Sequence, residues 1–211
     1  MLRVAVLASG RGSNLHALVD AIGRGELDAG IVGVFSDKAG AGALVHAREA
    51  GLAATHVDPK TFASRADFDR ALFERVDASE ADLIVCAGFM RILSPEVVAP
   101  RVARMINIHP SLLPKYPGLH THQRALDAGD HEHGASVHVV IPALDAGPVI
   151  AQTRLAIAPE DTAESLAARL LPQEHRLLVQ VVRWCSARRL RFDAEQVRFD
   201  EQPLTEPLRV D

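Results

Sequence analysis

The sequence predicts an α/β fold: one mostly parallel, twisted sheet with helices on both faces and an antiparallel extension on one side. Two observations carry this. From Leu2 to His109 short apolar, β-branched runs alternate with stretches of helical spacing, the signature of right-handed βαβ units. Beyond them, Ser136 to Ile141 and Pro148 to Leu155 are extended runs joined only by Pro142-Ala143-Leu144-Asp145-Ala146-Gly147, and so short a connection suits antiparallel pairing. A length of 211 residues suits one domain with a small appendage. We place the domain at residues 1–189 and a C-terminal hairpin and tail at 190–211.

Leu2 to Ala8 reads as the first strand, broken by Ser9-Gly10-Arg11-Gly12-Ser13, after which Leu15, Leu18, Val19 and Ile22 recur at helical spacing with Ser13 as N-cap. Ile31 to Ser36 reads as the second strand, Ala41 to Ala50 as a helix closed by Gly51, and Ala53 to Val57 as a short extended piece. Ser64-Arg65-Ala66-Asp67 opens a helix in the manner of a capping box, with Phe68, Ala71, Leu72 and Val76 on its buried face. Asp82 to Ala87 is a central strand by its continuous apolar run, ending in Gly88-Phe89-Met90-Arg91-Ile92-Leu93. Val102 to His109 continues the sheet. Pro110, Pro114 and Pro117 then exclude helix and stiffen the loop. Gln123 to Ala128 reads as a helix stopped at Gly129, and Thr162 to Ala187 as the last long helix, with a break or kink expected at Pro172. Leu190 to Phe192 and Val197 to Phe199 suit a hairpin, and the remaining tail reads as polar and frayed. The whole is a Rossmann-like arrangement.

Composition excludes several function classes. A net charge of −4 carries no basic footprint, so nucleic acid is not an expected partner. No apolar run reaches membrane-spanning length, and Met1 leads directly into a strand; we expect a cytoplasmic protein without a membrane partner, a monomer or homodimer. Cys86, within an apolar run, and the distant Cys185 suit a reducing compartment, with Cys86 read as core rather than nucleophile.

The stretch Asn107-Ile108-His109-Pro110-Ser111-Leu112-Leu113-Pro114 puts an amide and an imidazole at the end of a buried strand, where open α/β sheets bind ligands. A rigid loop after the imidazole suits a proton donor that must be held in place. The Ser9 to Ser13 turn offers free amides and close backbone approach, an anion site suited to phosphate with Arg11 beside it, or else a tight turn that binds nothing. The dinucleotide fingerprint is incomplete: Gly10 and Gly12 are present, Leu15 replaces the third glycine, and no acid closes a following strand at the expected distance, Asp37 being the nearest candidate, which disfavours a nicotinamide cofactor and an oxidoreductase. His120-x-His122 and His131-x-His133 lack nearby cysteines and read as neutral surface residues rather than a metal site. Phe89, Met90, Ile92 and Leu93 either wall a pocket or belong to the core. Asp145 in its tight loop is a turn former or a functional acid. Placed near His109, each would stabilise the charged form of the other, making the imidazole a better-populated proton donor near neutral pH.

The motifs Asn107-Ile108-His109-Pro110-Ser111-Leu112-Leu113-Pro114 with Gly118, Gly134-Ala135-Ser136-Val137-His138 and Leu144-Asp145-Ala146-Gly147-Pro148 resemble the formyltransferase family that uses 10-formyltetrahydrofolate. Ser9-Gly10-x-Gly12-Ser13-Asn14-Leu15 and Gln173-Glu174-His175 extend the resemblance to the branch acting on glycinamide ribonucleotide in purine biosynthesis. The resemblance implies a formyl transfer by direct attack of the substrate amine, with 10-formyltetrahydrofolate as cosubstrate and no metal. It implies Asn107 as hydrogen-bond donor, His109 as general acid and Asp145 as its partner. It further implies Gly12, Ser13 and Asn14 on the phosphate, Glu174 on the ribose hydroxyls, and Arg65, Met90, Arg91, Ile92, Leu93 and Asn107 in the folate pocket, with Arg65 and Arg91 facing the glutamate carboxylates. Pro172, beside Leu170 and Leu171, departs from the family pattern and bears on the ribose contact. Alternatives are a hydrolase of 10-formyltetrahydrofolate, which usually carries an additional N-terminal domain, and a folate- or nucleotide-binding module without catalysis. The transfer-RNA formylating relative usually adds a C-terminal barrel, for which no residues remain here.

Overall fold

The computed structural model describes residues 1–211. In chain order the elements are β1 (Leu2–Leu7), α1 (Ser13–Gly23), β2 (Ala29–Ser36), α2 (Gly42–Glu49), β3 (Ala54–His56), α3 (Arg65–Ala78), β4 (Leu83–Cys86), α4 (Pro95–Val98), β5 (Met105–His109), α5 (Thr121–Asp127), β6 (Glu132–Val139), β7 (Val149–Ala156), α6 (Ala163–Ser186), β8 (Leu190–Phe192), β9 (Val197–Phe199), β10 (Gln202–Pro203) and β11 (Leu208–Arg209). The main sheet runs β11-β7-β6-β5-β4-β1-β2-β3, and a small second sheet runs β10-β9-β8. β1, β2, β3, β4 and β5 are mutually parallel, while β6 runs antiparallel to β5 and β7. The predicted parallel sheet with an antiparallel extension is therefore the observed one.

The chain leaves β1 toward β2 on one side and later returns to β4 on the other, so the β1/β4 crevice is the topological switch point where open α/β sheets bind ligands. The turn after β1 and the segment after β4 both open there. Val4 to Ala8 and Leu83 to Val85 are buried on both faces, as a sheet flanked by helices requires.

Local chemistry explains most element ends. Ser64 caps α3 by accepting the Asp67 N–H, and Thr162 and Ser165 form a reciprocal capping box at the start of α6. Ser13 is not the N-cap of α1. Gly12 holds that position at φ 82, leaving Ser13 as the first helical residue. A Cβ at Gly12 would lie 2.5 Å from Ala43 Cα, so glycine there also lets α2 pack against the turn.

Three further expectations are corrected. The strand expected from Val102 starts at Met105, because Ala99–Arg104 forms a 3₁₀ turn whose Arg101 and Arg104 pair with Asp77 of α3. No break occurs at Pro172: α6 is continuous over 24 residues. An interior proline costs about 3 kcal/mol. Leu166, Leu170, Leu177, Leu178, Val181 and Val182 are buried along the same helix, and at about 1.5–3 kcal/mol each they outweigh that cost. The tail is not frayed. The expected β8–β9 hairpin forms, but the chain then adds β10 and returns to pair β11 in parallel with β7, with the Val210 N–H on the Gln152 carbonyl at 3.0 Å. Leu204, Leu208 and Val210 pack on the core, covering a sheet edge that would otherwise stay open.

Candidate active site

Asn107 and His109 lie two residues apart on β5 and so share one face of the sheet. Antiparallel register places His138 of β6 opposite Asn107 and Ser136 opposite His109. His138 Nδ1 lies 2.9 Å from the Val139 carbonyl, which only accepts, so Nδ1 carries the proton. Its Nε2 is then free to accept from Asn107 Nδ2 at 3.0 Å. The same logic puts a proton on His109 Nε2, which donates to the Tyr116 carbonyl at 2.9 Å. His109 Nδ1 faces Asp145 Oδ2 at 3.5 Å, and Asp145 Oδ1 lies 3.6 Å from His138 Nε2. His109 and Asp145 therefore lie side by side, with His138 beside them.

The loop after β5 is held by more than its prolines. Ser136 Oγ donates to the Ser111 carbonyl at 2.7 Å and accepts the Leu113 N–H at 3.1 Å. Gln152 Nε2 donates to the Leu113 carbonyl and to Ser136 Oγ, both at 2.9 Å. Tyr116 and Gly118 take positive φ, which turns the Tyr116 carbonyl onto His109 and aims the Gly118 N–H at Asp145 Oδ2, 2.8 Å away. Asp145 itself adopts φ 49. Gly147 beside it admits no Cβ, since one would lie 2.0 Å from the Val139 carbonyl oxygen.

Charge states follow from this geometry. Burial lowers the pKa of His109 below 6.5, and the Tyr116 carbonyl and the Asp145 charge only partly oppose it. The expected enrichment of imidazolium at neutral pH is therefore corrected: buried 94% by its neighbours' cover (6% exposed), the ring loses more from desolvation than it gains from one carboxylate. For Asp145, burial acts to raise the pKa. The His138 contact, the Gly118 N–H and the nearby imidazoles outweigh it and leave the carboxyl below its usual range, hence ionised.

Asn107, His138 and Asp145 form one end of an open cleft whose walls include Phe89, Arg91, Ile92, Leu93 and the Ile141–Leu144 segment. Arg65 and Met90 are not among its lining residues. Arg65 is exposed at the start of α3, and Met90 is 62% exposed. Arg91 is not a free cation: its guanidinium sits 4.7 Å over the Phe68 ring and 3.8 Å from Asp37. Asp37, the nearest acid to a dinucleotide pattern, is occupied there and accepts the Ser9 hydroxyl at 2.6 Å.

Gly12, Ser13 and Asn14 begin α1, and Glu174 comes beside them from α6. Burial pushes the Glu174 carboxyl up to about 7, against the opposing pull of the Asn14 side chain and the Arg11 charge. Asn14 is buried, and its Oδ1 has no partner in the protein. An unsatisfied acceptor beside a carboxylate at a helix N-terminus suits a ligand carrying hydroxyls next to an anion.

The remaining histidines behave otherwise than their sequence setting indicates. His133 is buried rather than on the surface, and its Nε2 lies 3.0 Å from His122 Nδ1. Burial, aided by His122, pushes the His133 pKa down to about 4. No group of three metal-ligating side chains occurs.

Sequence reasoning missed His138, Ser136, Gln152 and the Tyr116 carbonyl as members of this site. A signal existed for the first two. Polar residues two apart in an otherwise apolar strand, Ser136 and His138, mirror Asn107 and His109 in the neighbouring run.

The formyl transferase family matches residues 2–182. Phosphoribosylglycinamide formyltransferase of Escherichia coli is 44% identical over 203 residues, covering 96% of each chain. The trifunctional purine biosynthetic protein adenosine-3 of Drosophila melanogaster is 46% identical over 175 residues, 82% of this chain and 13% of that protein. The phosphoribosylglycinamide formyltransferase structure from Coxiella burnetii superposes with a TM-score of 0.95 at 45% identity, over 100% of this chain and 99% of that one. With the family's match over residues 2–182, relatives above 40% identity over nearly the whole chain and a shared fold, the chain belongs to the formyl transferase family.

Proposed function

We propose that the chain transfers the formyl group of 10-formyltetrahydrofolate to the amine of glycinamide ribonucleotide; its relatives are named phosphoribosylglycinamide formyltransferases. The observation that carries this reading is that His109, at the C-terminal end of β5, stands 3.5 Å from the cleft residue Asp145, while the α1 N-terminus, with Asn14 and Glu174, follows the same end of the parallel strand β1. One end suits an acyl-transfer centre, and the other suits a phosphate and ribose.

The amine attacks the formyl carbon, forming a new C–N bond and a tetrahedral intermediate with a negative oxygen and a positive nitrogen. The bond from carbon to N10 then breaks, and N10 must gain the proton that the attacking amine loses. Asn107 has one amide hydrogen engaged by His138 and a second available to the oxyanion. His109 is neutral before attack because burial disfavours its charge. Its Nδ1, free of the proton committed at Nε2, takes the ammonium proton and delivers it to N10 as general acid. Asp145, ionised throughout, stabilises the imidazolium while it lasts. Folate lies in the cleft against Ile92, Leu93, Arg91 and the Ile141–Asp145 loop. Gly12, Ser13 and Asn14 hold the phosphate and Glu174 the ribose. Arg65 and Met90, outside the cleft lining, serve at most the distal end of the folate.

The test is isotopic. With formyl-labelled 10-formyltetrahydrofolate, mass spectrometry of the ribonucleotide should find the label on its amine. Label recovered only as formate would replace this reading with hydrolysis.

A further inference from the structure

The segment from Gly88 to Ser94 forms one wall of the cleft without belonging to any helix or strand. Two buried carboxylates hold it from opposite sides. On the β1 side, the Ser9 N–H donates to the Gly88 carbonyl at 3.0 Å. The Ser9 hydroxyl accepts the Met90 N–H at 2.9 Å and donates to Asp37 Oδ1 at 2.6 Å, while Asp37 Oδ2 faces the Arg91 guanidinium at 3.8 Å. On the α3 side, Asp69, fully buried, accepts the Ser94 N–H at 2.8 Å. The preceding residue, Phe68, supports the Arg91 guanidinium from below. Between these anchors the backbone N–H groups of Arg91, Ile92 and Leu93 have no acceptor in the protein.

This arrangement is a poor bargain for folding alone. Asp69 has no cation within salt-bridge distance, its Oδ1 has no partner, and neither has Ser94 Oγ or Arg91 Nε nearby in the chain. A buried carboxylate so incompletely satisfied destabilises a fold unless something else is gained. What is gained here is a cleft wall pinned at both ends, with its middle backbone left free to bond a ligand.

We propose that Asp69, acting through Ser94, and Asp37, acting through Ser9 and Arg91, are positioning residues that fix the shape of the folate-binding wall. The proposal rests on the reading of this cleft as the folate site. Neither carboxylate touches the reacting atoms. Their effect falls on folate affinity and leaves the proton-transfer machinery of Asn107, His109 and Asp145 in place.

The experiment uses the full chain as wild type, Ser9→Ala, Asp69→Ala and Asp69→Asn, measuring tetrahydrofolate binding by calorimetry and steady-state kinetics for both substrates. Leaving a buried N–H unsatisfied corresponds to a loss of about 5- to 100-fold in affinity. Asp69→Ala should therefore raise the tetrahydrofolate Kd and the KM for 10-formyltetrahydrofolate by roughly tenfold or more, and Ser9→Ala, which frees the part-buried Met90 N–H, should raise the tetrahydrofolate Kd by about fivefold. For Asp69→Ala the value of kcat should stay within about threefold and the KM for the ribonucleotide should be unchanged. Asp69→Asn keeps an acceptor for Ser94 and should recover most of the affinity. If Asp69→Ala does not fold, Ser9→Ala, which loses only a hydroxyl, is read by its tetrahydrofolate Kd. Variants that bind tetrahydrofolate as the wild type does, or that lose kcat with both KM values unchanged, overturn the proposal. A wild-type protein that does not bind tetrahydrofolate overturns the folate reading itself, a failure seen without any variant.

Discussion

His109 Nδ1 lies 3.5 Å from Asp145 Oδ2 while the other ring nitrogen of His109 is committed to the Tyr116 carbonyl at 2.9 Å. The imidazole therefore has a single nitrogen with which to exchange protons, and the carboxylate stands beside that nitrogen. On the proposed reading this neutral ring shuttles a proton, and its transient charge is stabilised by the Tyr116 carbonyl and the Asp145 carboxylate.

Replacement of His109 by Ala should remove the shuttle. General acid–base catalysis contributes about 10²- to 10⁴-fold, so kcat should fall by that range while circular dichroism and thermal melting stay close to wild type. Retained turnover would remove His109 from its role.

Asp145→Asn should lower the His109 pKa further, since the Asp145 charge is one of the influences raising it. The imidazole titration followed by NMR should move to lower pH, and kcat should drop because the transient imidazolium loses its counter-charge. An unmoved titration would show the two groups uncoupled.

Ser13→Asp puts a negative charge on the first residue of α1, where it favours the helix through the macrodipole. Any loss is then not a folding defect. The KM for the ribonucleotide should rise well above that for folate, and equal losses would argue against the phosphate assignment.

Glu174 titrates near 7 in the folded protein, above its ordinary 4.5. Ribonucleotide affinity should improve as pH rises through about 7 and the carboxylate forms to accept the ribose hydroxyls. Glu174→Gln should flatten that part of the profile. Comparing the two proteins cancels the substrate's own titration, and parallel profiles would sink the assignment.

His133 carries the opposite shift, from 6.5 down to about 4. Between those values the unfolded chain binds the proton and the folded one does not, so this residue makes stability fall as pH drops from 6.5 toward 4. His133→Gln should lessen the loss of Tm across that window. An identical pH dependence in both proteins would show that His133 does not drive it.

Much of this was legible in the chain because it depends on residue type at short range. The alternation of β-branched runs with helical spacing predicts the parallel sheet, and the short Pro142–Gly147 connection predicts the antiparallel turn that carries Asp145. What escaped depends on register and backbone conformation. His138 reaches Asn107 only through the pairing of β5 with β6, and the Tyr116 carbonyl reaches His109 through a positive φ that Tyr itself does not signal. The His109 shift was misjudged because burial, invisible in a motif, outweighs the carboxylate. The continuous α6 and the paired tail share a cause. Pro172 and the polar residues of the C-terminus argue locally for disruption, and tertiary burial of Leu170, Leu177, Leu204 and Val210 overrides them.

The most direct test of the account is a steady-state assay of the purified protein with 10-formyltetrahydrofolate, following tetrahydrofolate release with and without glycinamide ribonucleotide. Release that depends on the ribonucleotide, and that His109→Ala slows by about 10²- to 10⁴-fold, is the predicted result. Release at the same rate without the ribonucleotide would contradict formyl transfer to that amine.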